Sequence, residues 1–133
     1  MKKLFIILML FWIQESFGQT ESKSICKQDS LGIVIVSEIM PEFQGGTDSF
    51  YQFLRQNIEY PHFRGNVQGT VVVKFVIDTA GKVCTPEVII SLHPLFDEEV
   101  LRVVSIMPDW KPALCEGKPI STYFTLPIKF FLN

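Results

Sequence analysis

Near the C-terminus, apolar and polar positions alternate without a break. Phe124, Leu126, Ile128, Phe130 and Leu132 fall on one side, while Tyr123, Thr125, Pro127, Lys129 and Phe131 fall on the other. A helix cannot use that period of two, so residues 123–132 predict a strand with one buried face. Residues 70–78 repeat the pattern, with Val71, Val73, Phe75 and Ile77 set against Thr70, Val72, Lys74 and Val76. Asp78-Thr79-Ala80-Gly81 then predicts a hairpin connection ending on glycine. Residues 83–92 form the returning strand, with Val88, Ile89 and Ile90 expected as its most buried part. Residues 33–39 are β-branched, lie between Gly32 and Pro41, and predict a shorter strand.

Between these stretches the apolar period changes to that of a helix. Phe50, Phe53, Leu54 and Ile58 stand at i, i+3, i+4 and i+8, after a Gly45-Gly46 turn and a cap at Thr47 or Asp48. Pro61 stops that helix. Residues 63–67 are expected to add a short second helical turn, closed by Gly65 or Gly69. Pro94 opens the next helix, whose first turn carries Asp97, Glu98 and Glu99 against the positive end of the dipole. Its stripe is Phe96, Val100, Val103, Val104 and Met107, and Pro108 ends it. The expected fold is α+β: a small, mostly antiparallel sheet of three to four strands with two helices packed on one face. Tyr60, Phe75 and Trp110 are its expected large core aromatics.

The amino terminus changes the picture. Lys2-Lys3, the apolar run of residues 4–13 and the small residues Ser16 and Gly18 read as a signal peptide over residues 1–18. Ten helical residues rise about 15 Å, too short for roughly 30 Å of hydrocarbon. Residues 19–32 are polar and read as a flexible leader, which leaves residues 33–133 as one domain. Cleavage removes Lys2, Lys3 and Glu15. It takes 12 basic and 14 acidic residues to 10 and 13, a formal net charge of −3. No basic stripe remains, so nucleic acid is a poor partner. Three cysteines survive, Cys26, Cys84 and Cys115. An exported chain with an odd count forms at most one internal bridge, and small buried residues remain the other reading.

No constellation for catalysis emerges. His62 and His93 each sit beside a proline, with no Cys, Asp or Glu at metal-ligand spacing. Asp97, Glu98 and Glu99 are accounted for by capping. Ser105 and Cys84 lack a base, and Gly45-Gly46 is followed by no Lys-Ser/Thr. The expectation is a protein that is not an enzyme, with no cofactor, no metal and no small-molecule substrate. What remains is an edge. Pro127 cannot donate to a ladder, so its strand is expected to be an edge on at least one side. Such an edge is either blunted or used to add a partner strand.

Several spaced motifs, in order, resemble the C-terminal domain of the TonB family. They are Tyr60-Pro61, Gly69, Val71, Phe75, Gly81, Trp110-Lys111-Pro112, Gly117-Lys118-Pro119 and Leu126-Pro127. Residues 40–46, Met-Pro-Glu-Phe-Gln-Gly-Gly, are similar to the opening of Bacteroidetes-type members, with Gln44 in place of a proline. The resemblance spans roughly residues 40–132. It implies the domain without the membrane anchor and Pro-rich spacer of full-length energy transducers. It also implies a periplasmic, non-catalytic protein whose partner is a TonB-box-like peptide of an outer-membrane transporter. The expected peptide-binding residues are Tyr123, Thr125, Pro127 and Lys129 on the last strand. Asn57 joins them, since the family's transporter-facing region falls just before Tyr60-Pro61. A free-standing periplasmic interaction or envelope-assembly module is the alternative, and a homodimer stays open.

Overall fold

The computed structural model describes residues 26–62 and 64–131. In chain order its elements are β1 (Lys27–Gln28), β2 (Val34–Val36), α1 (Gly46–Asn57), β3 (Gly69–Ile77), β4 (Val83–Ile90), α2 (Pro94–Ser105), β5 (Ala113–Cys115), β6 (Lys118–Ile120) and β7 (Thr122–Phe130). Five strands make one sheet in the order β1-β2-β7-β3-β4, and β5 pairs with β6 as a separate hairpin. The α+β class is as expected.

The centre of the sheet is the antiparallel pair β3–β7, in register from Gly69 opposite Phe130 to Ile77 opposite Thr122. Its inward side chains, Val71, Val73, Phe75 and Ile77 with Leu126, Ile128 and Phe130, are buried against Phe50 and Leu54 of α1 and Phe96, Val100, Val103 and Val104 of α2. Each such side chain stabilises the fold by about 1.5–3 kcal/mol. Trp110 closes one end of this core. Its ring centroid lies 4.8 Å from that of Phe124, 5.3 Å from Phe50, 5.4 Å from Phe43 and 6.0 Å from Phe75. Gly81 lets the chain reach that position. Its carbonyl accepts the Trp110 amide at 2.7 Å, and a Cβ on Gly81 would stand 1.8 Å from the Trp110 carbonyl oxygen.

Helix α2 starts as its sequence directs, with Pro94 in the first turn and His93 at the N-cap accepting the Leu95 amide on Nδ1 at 3.2 Å. Asp97 accepts the Leu92 amide at 3.2 Å and the Ser91 hydroxyl, which fastens the end of β4 to the helix.

Four expectations are corrected. The main sheet has five strands, because two short N-terminal strands join it. Val88 is half-buried, but Ile89 and Ile90 are 48% and 56% exposed. A register shift between Val72 and Val73 sets Ile90 opposite outward-facing Val72, so an apolar run at the outer strand turns its side chains to solvent. Residues 64–67 are not helical, and Phe63 lies outside the described residues. The few residues between Pro61 and Gly69 are too short to repay helix nucleation. The described part of the expected leader, residues 26–32, is not free: β1 pairs with β2, and Cys26 is bridged to Cys115. The signal peptide, residues 1–18, and residues 19–25 lie outside the described residues. Among those described, no helix is long and apolar enough to cross a membrane.

Candidate functional site

The two sides of β7 differ. On one side β3 pairs with all nine of its residues. On the other, parallel β2 meets it only where Val34 stands opposite Thr122. The Val34 amide donates to the Ser121 carbonyl at 2.8 Å, so the backbone of Ser121 faces β2. Backbone groups alternate in direction along a strand. Those of Tyr123, Thr125, Pro127 and Lys129 therefore face the β2 side, and those of Phe124, Leu126, Ile128 and Phe130 face β3. Pro127 thus withholds its donor from the open side and costs the β3 ladder nothing. Among the described residues, no loop or side chain hydrogen-bonds the outward backbone of Thr125, Pro127 or Lys129. The edge expected from Pro127 needs one correction. In strand order β7 lies inside the sheet, and its open side begins where β2 departs.

The side chains of Tyr123, Thr125, Pro127 and Lys129 share the sheet face away from the helices, and the last three are exposed. Tyr123 is already engaged. Its hydroxyl donates to Asp29 Oδ2 at 2.5 Å, and Lys74 Nζ sits 4.0 Å above its ring centroid. That hydrogen bond lowers the Asp29 carboxyl below its ordinary value and raises the Tyr123 hydroxyl above its own. Asp29 Oδ1 also accepts the Leu31 and Ile33 amides, folding residues 29–33 into a turn that leads to β2. The Thr122 hydroxyl donates to the Val34 carbonyl at 2.9 Å. Together with the Cys26–Cys115 bridge, these contacts seat the N-terminal arm at the start of the open side. Sequence reasoning missed this seat, although Asp29 three residues before Gly32 is a turn signal.

Asn57 stands apart. It ends α1, its Nδ2 donates to the Phe53 carbonyl at 2.8 Å, and its own carbonyl accepts Arg102 Nη2 at 2.6 Å. It borders an open cleft of about 550 Å³ lined by Glu59, Tyr60, Pro61, His62, Leu95, Glu98, Glu99 and Arg102. The polar groups there are largely used within the fold. Glu99 accepts from Arg102 and from the Glu59 amide, and the guanidinium holds the carboxyl below its ordinary value. Among the described residues, the lining contains no Ser, Thr or Cys.

One group among the described residues brings metal-type donors together, Cys26, Glu38 and Cys115. Its two sulfurs are the bridge, and Glu38 Oε2 accepts the Glu116 amide at 3.2 Å. The third cysteine, Cys84, has its thiol pKa raised by burial and by the Asp78 carboxylate, which disfavours the reactive thiolate.

A second cavity, about 230 Å³, opens between α1 and β7. Pro41, Phe43, Phe50, Tyr51, Trp110 and Phe124 line it, with Glu42 and Thr47 at its rim. Trp110 Nε1 is the buried side-chain polar atom without a partner among the described residues. An unmatched buried donor of that kind costs about 1–3 kcal/mol. The helical stripe of α1 and the alternation of β7 put Phe50 and Phe124 inward and Trp110 was expected in the core, but no sequence signal brought Phe43 to them.

No curated protein and no solved structure matches the chain. Residues 56–132 match the family model described as Gram-negative bacterial TonB protein C-terminal. The match runs from the end of α1 to the end of β7 and leaves out β1 and β2. Domains of that family are periplasmic, transport-associated and non-catalytic, and work with outer-membrane transporters. This chain belongs to the TonB C-terminal domain family.

Proposed function

We propose that the chain is an exported protein-binding domain that adds an extended peptide of a TonB-dependent outer-membrane transporter to the open side of β7. The observation that carries this reading is the run of outward backbone groups at Thr125, Pro127 and Lys129, which no described residue uses. Main-chain pairing supplies affinity without a fixed side-chain code. Tyr123, Thr125, Pro127 and Lys129 are the contact residues on this reading. Asn57, whose Nδ2 and backbone carbonyl serve α1 and Arg102, stands apart from this edge. Export follows from cleavage after Gly18, which N-terminal sequencing of the mature protein tests by a start at Gln19.

Two substitutions at one position test the mechanism. Thr125→Ala keeps the outward amide, so affinity for a transporter N-terminal peptide should change less than about threefold. Thr125→Pro removes that donor. The lost bond alone is worth about 0.5–1.5 kcal/mol, and the ring displaces the adjoining strand. Circular dichroism provides the folding control. The reading fails if amide shifts in an NMR titration gather around Asn57 rather than residues 124–130, or if no peptide binds at millimolar concentration.

The alternative is a free-standing envelope module whose occupant is not a transporter. The seating of β2 at Thr122 favours it, because the arm narrows the side on which a long segment could pair. A second copy of the chain on the same side would show as concentration-dependent mass in sedimentation.

A further inference from the structure

We propose that the aromatic cavity over Phe124 is a subsite for one large apolar side chain of the segment that adds to β7, an inference that rests on the edge-pairing reading. Two contacts align α1 with that strand. Phe50 lies 6.3 Å from Phe124, and Tyr60, just beyond the helix, lies 6.4 Å from Phe130. Helix α1 therefore runs over the inward face of β7 from the level of Phe124 towards that of Phe130. A strand added beside β7 turns alternate side chains to the same face. The side chain level with Phe124 meets the cavity.

The cavity's dimensions and lining select the occupant. At about 230 Å³ it is smaller than the roughly 300–1,000 Å³ of small-molecule sites and suits a single side chain. Phe43, Phe50 and Trp110 are 6%, 8% and 3% exposed, so the walls are held in place before anything binds. Among the described residues, Glu42 is the only charged one in the lining, which disfavours an acidic occupant. Trp110 belongs to this wall, so its indole reports on what enters. Tyr51, 53% exposed, forms the outer rim. The occupant class is an uncharged aliphatic or aromatic residue, set among residues that pair through their backbone.

The test uses two capped seven-residue peptides of threonine, one with a central leucine and one with a central serine. Flanking threonines let the central residue find its register. They are titrated into the ¹⁵N-labelled mature chain starting at Gln19, in which Trp110 gives the one indole signal. The edge is read from the amides of Thr125 and Lys129, and the subsite from the Trp110 indole. The leucine peptide should bind about tenfold tighter, as expected for burying one such side chain, and should alone shift the indole. Tyr51→Ala, a change at an exposed rim residue, should reduce that preference to under about threefold. Equal affinities with shifted edge amides would overturn the subsite and leave edge pairing intact. A leucine preference with a moving indole but still edge amides would overturn edge pairing and, with it, the assignment of the occupant to an added strand. Absence of binding by either peptide at millimolar concentration would overturn both.

Discussion

The pair β3–β7 and the arm built from β1 and β2 belong to the same sheet, yet they hold by different means. In the pair, nine residues meet nine in continuous register, and every second side chain enters the core beneath two helices. In the arm, Val34 and Ser37 are buried, whereas Leu31, Ile35, Val36, Ile39 and Met40 are 44–77% exposed. What fixes the arm is local and specific. It has the Cys26–Cys115 bridge, one parallel register point at Thr122, the Asp29–Tyr123 hydrogen bond and single bridges of Ile39 to Leu114 and of Glu42 to Lys111. The core is secured by many side chains at once, whereas the arm depends on a short list of fasteners. The boundary between the two regimes falls on β7, where the arm leaves and the open side begins.

The largest expected effect breaks the first region. Phe75→Ala or Trp110→Ala should lower stability by about 3–5 kcal/mol, against the roughly 5–15 kcal/mol typical of a whole domain. Both rings are almost fully enclosed, at 1% and 3% exposure. Removing Trp110 also removes its unmatched indole donor, so its cost should fall in the lower half of that range. Urea unfolding measures both. A Phe75→Ala variant within about 0.5 kcal/mol of the parent, an effect ordinary for surface positions, would remove the contrast between core and arm.

The next effect breaks the second region. Cys26→Ser opens a bridge that joins residues 89 apart in sequence, at a Cα separation of 6.3 Å. Bridges over long loops typically contribute about 2–4 kcal/mol. The arm buries so little that its local protection should fall first. Hydrogen exchange at the amides of Ile33 and Val34 should accelerate strongly, while those of Val73 and Phe75 stay the slowest in the chain. Equal acceleration at both places would mean that arm and core unfold as one unit.

The same contrast governs how much was legible in the sequence. Elements held by burial leave a periodic trace. The alternation of Phe124 to Phe130, the stripe from Phe96 to Val104 and the inward places of Phe75 and Trp110 were all readable. Elements held by one bond leave none. The pairing of Cys26 with Cys115 could not be chosen among three cysteines, and residues 26–32 are polar enough to pass for a leader. Ile89 and Ile90 misled for a related reason. Hydrophobicity marked them as buried, while a register shift on the outermost strand decided where they point. The open side of β7 was half legible. Pro127 announced a side without a ladder, but not that β2 would occupy its first residue. Asn57 came from resemblance alone, and its Nδ2 and backbone carbonyl are engaged by α1 and Arg102.

The smallest expected effect sharpens the comparison by titrating one fastener. Asp29 and Tyr123 share a hydrogen bond that lowers the carboxyl pKa below its ordinary 3.8 and raises the hydroxyl pKa above its ordinary 10.0. A lowered carboxyl stabilises the folded arm above 3.8, and that contribution is lost as pH falls through the lower folded value. A raised hydroxyl stabilises it below 10.0, and that contribution is lost as pH rises through the higher folded value. Attachment of the arm should therefore be flat between about pH 5 and 9 and weaken at both extremes. Because both groups face solvent, each limb should be shallow. Tyr123→Phe keeps the ring beneath Lys74 but deletes the hydroxyl. The alkaline limb should disappear, and the acid limb should shrink to what the Leu31 and Ile33 amides and the Lys74 charge contribute. Amide exchange of Ile33 across pH, corrected for its intrinsic rate, reads this directly. If Tyr123→Phe left both limbs unchanged, the arm would be fastened by its other attachments, the disulfide, the Val34 register and the Ile39 and Glu42 bridges. The open side of β7 would then begin at a boundary that pH does not move.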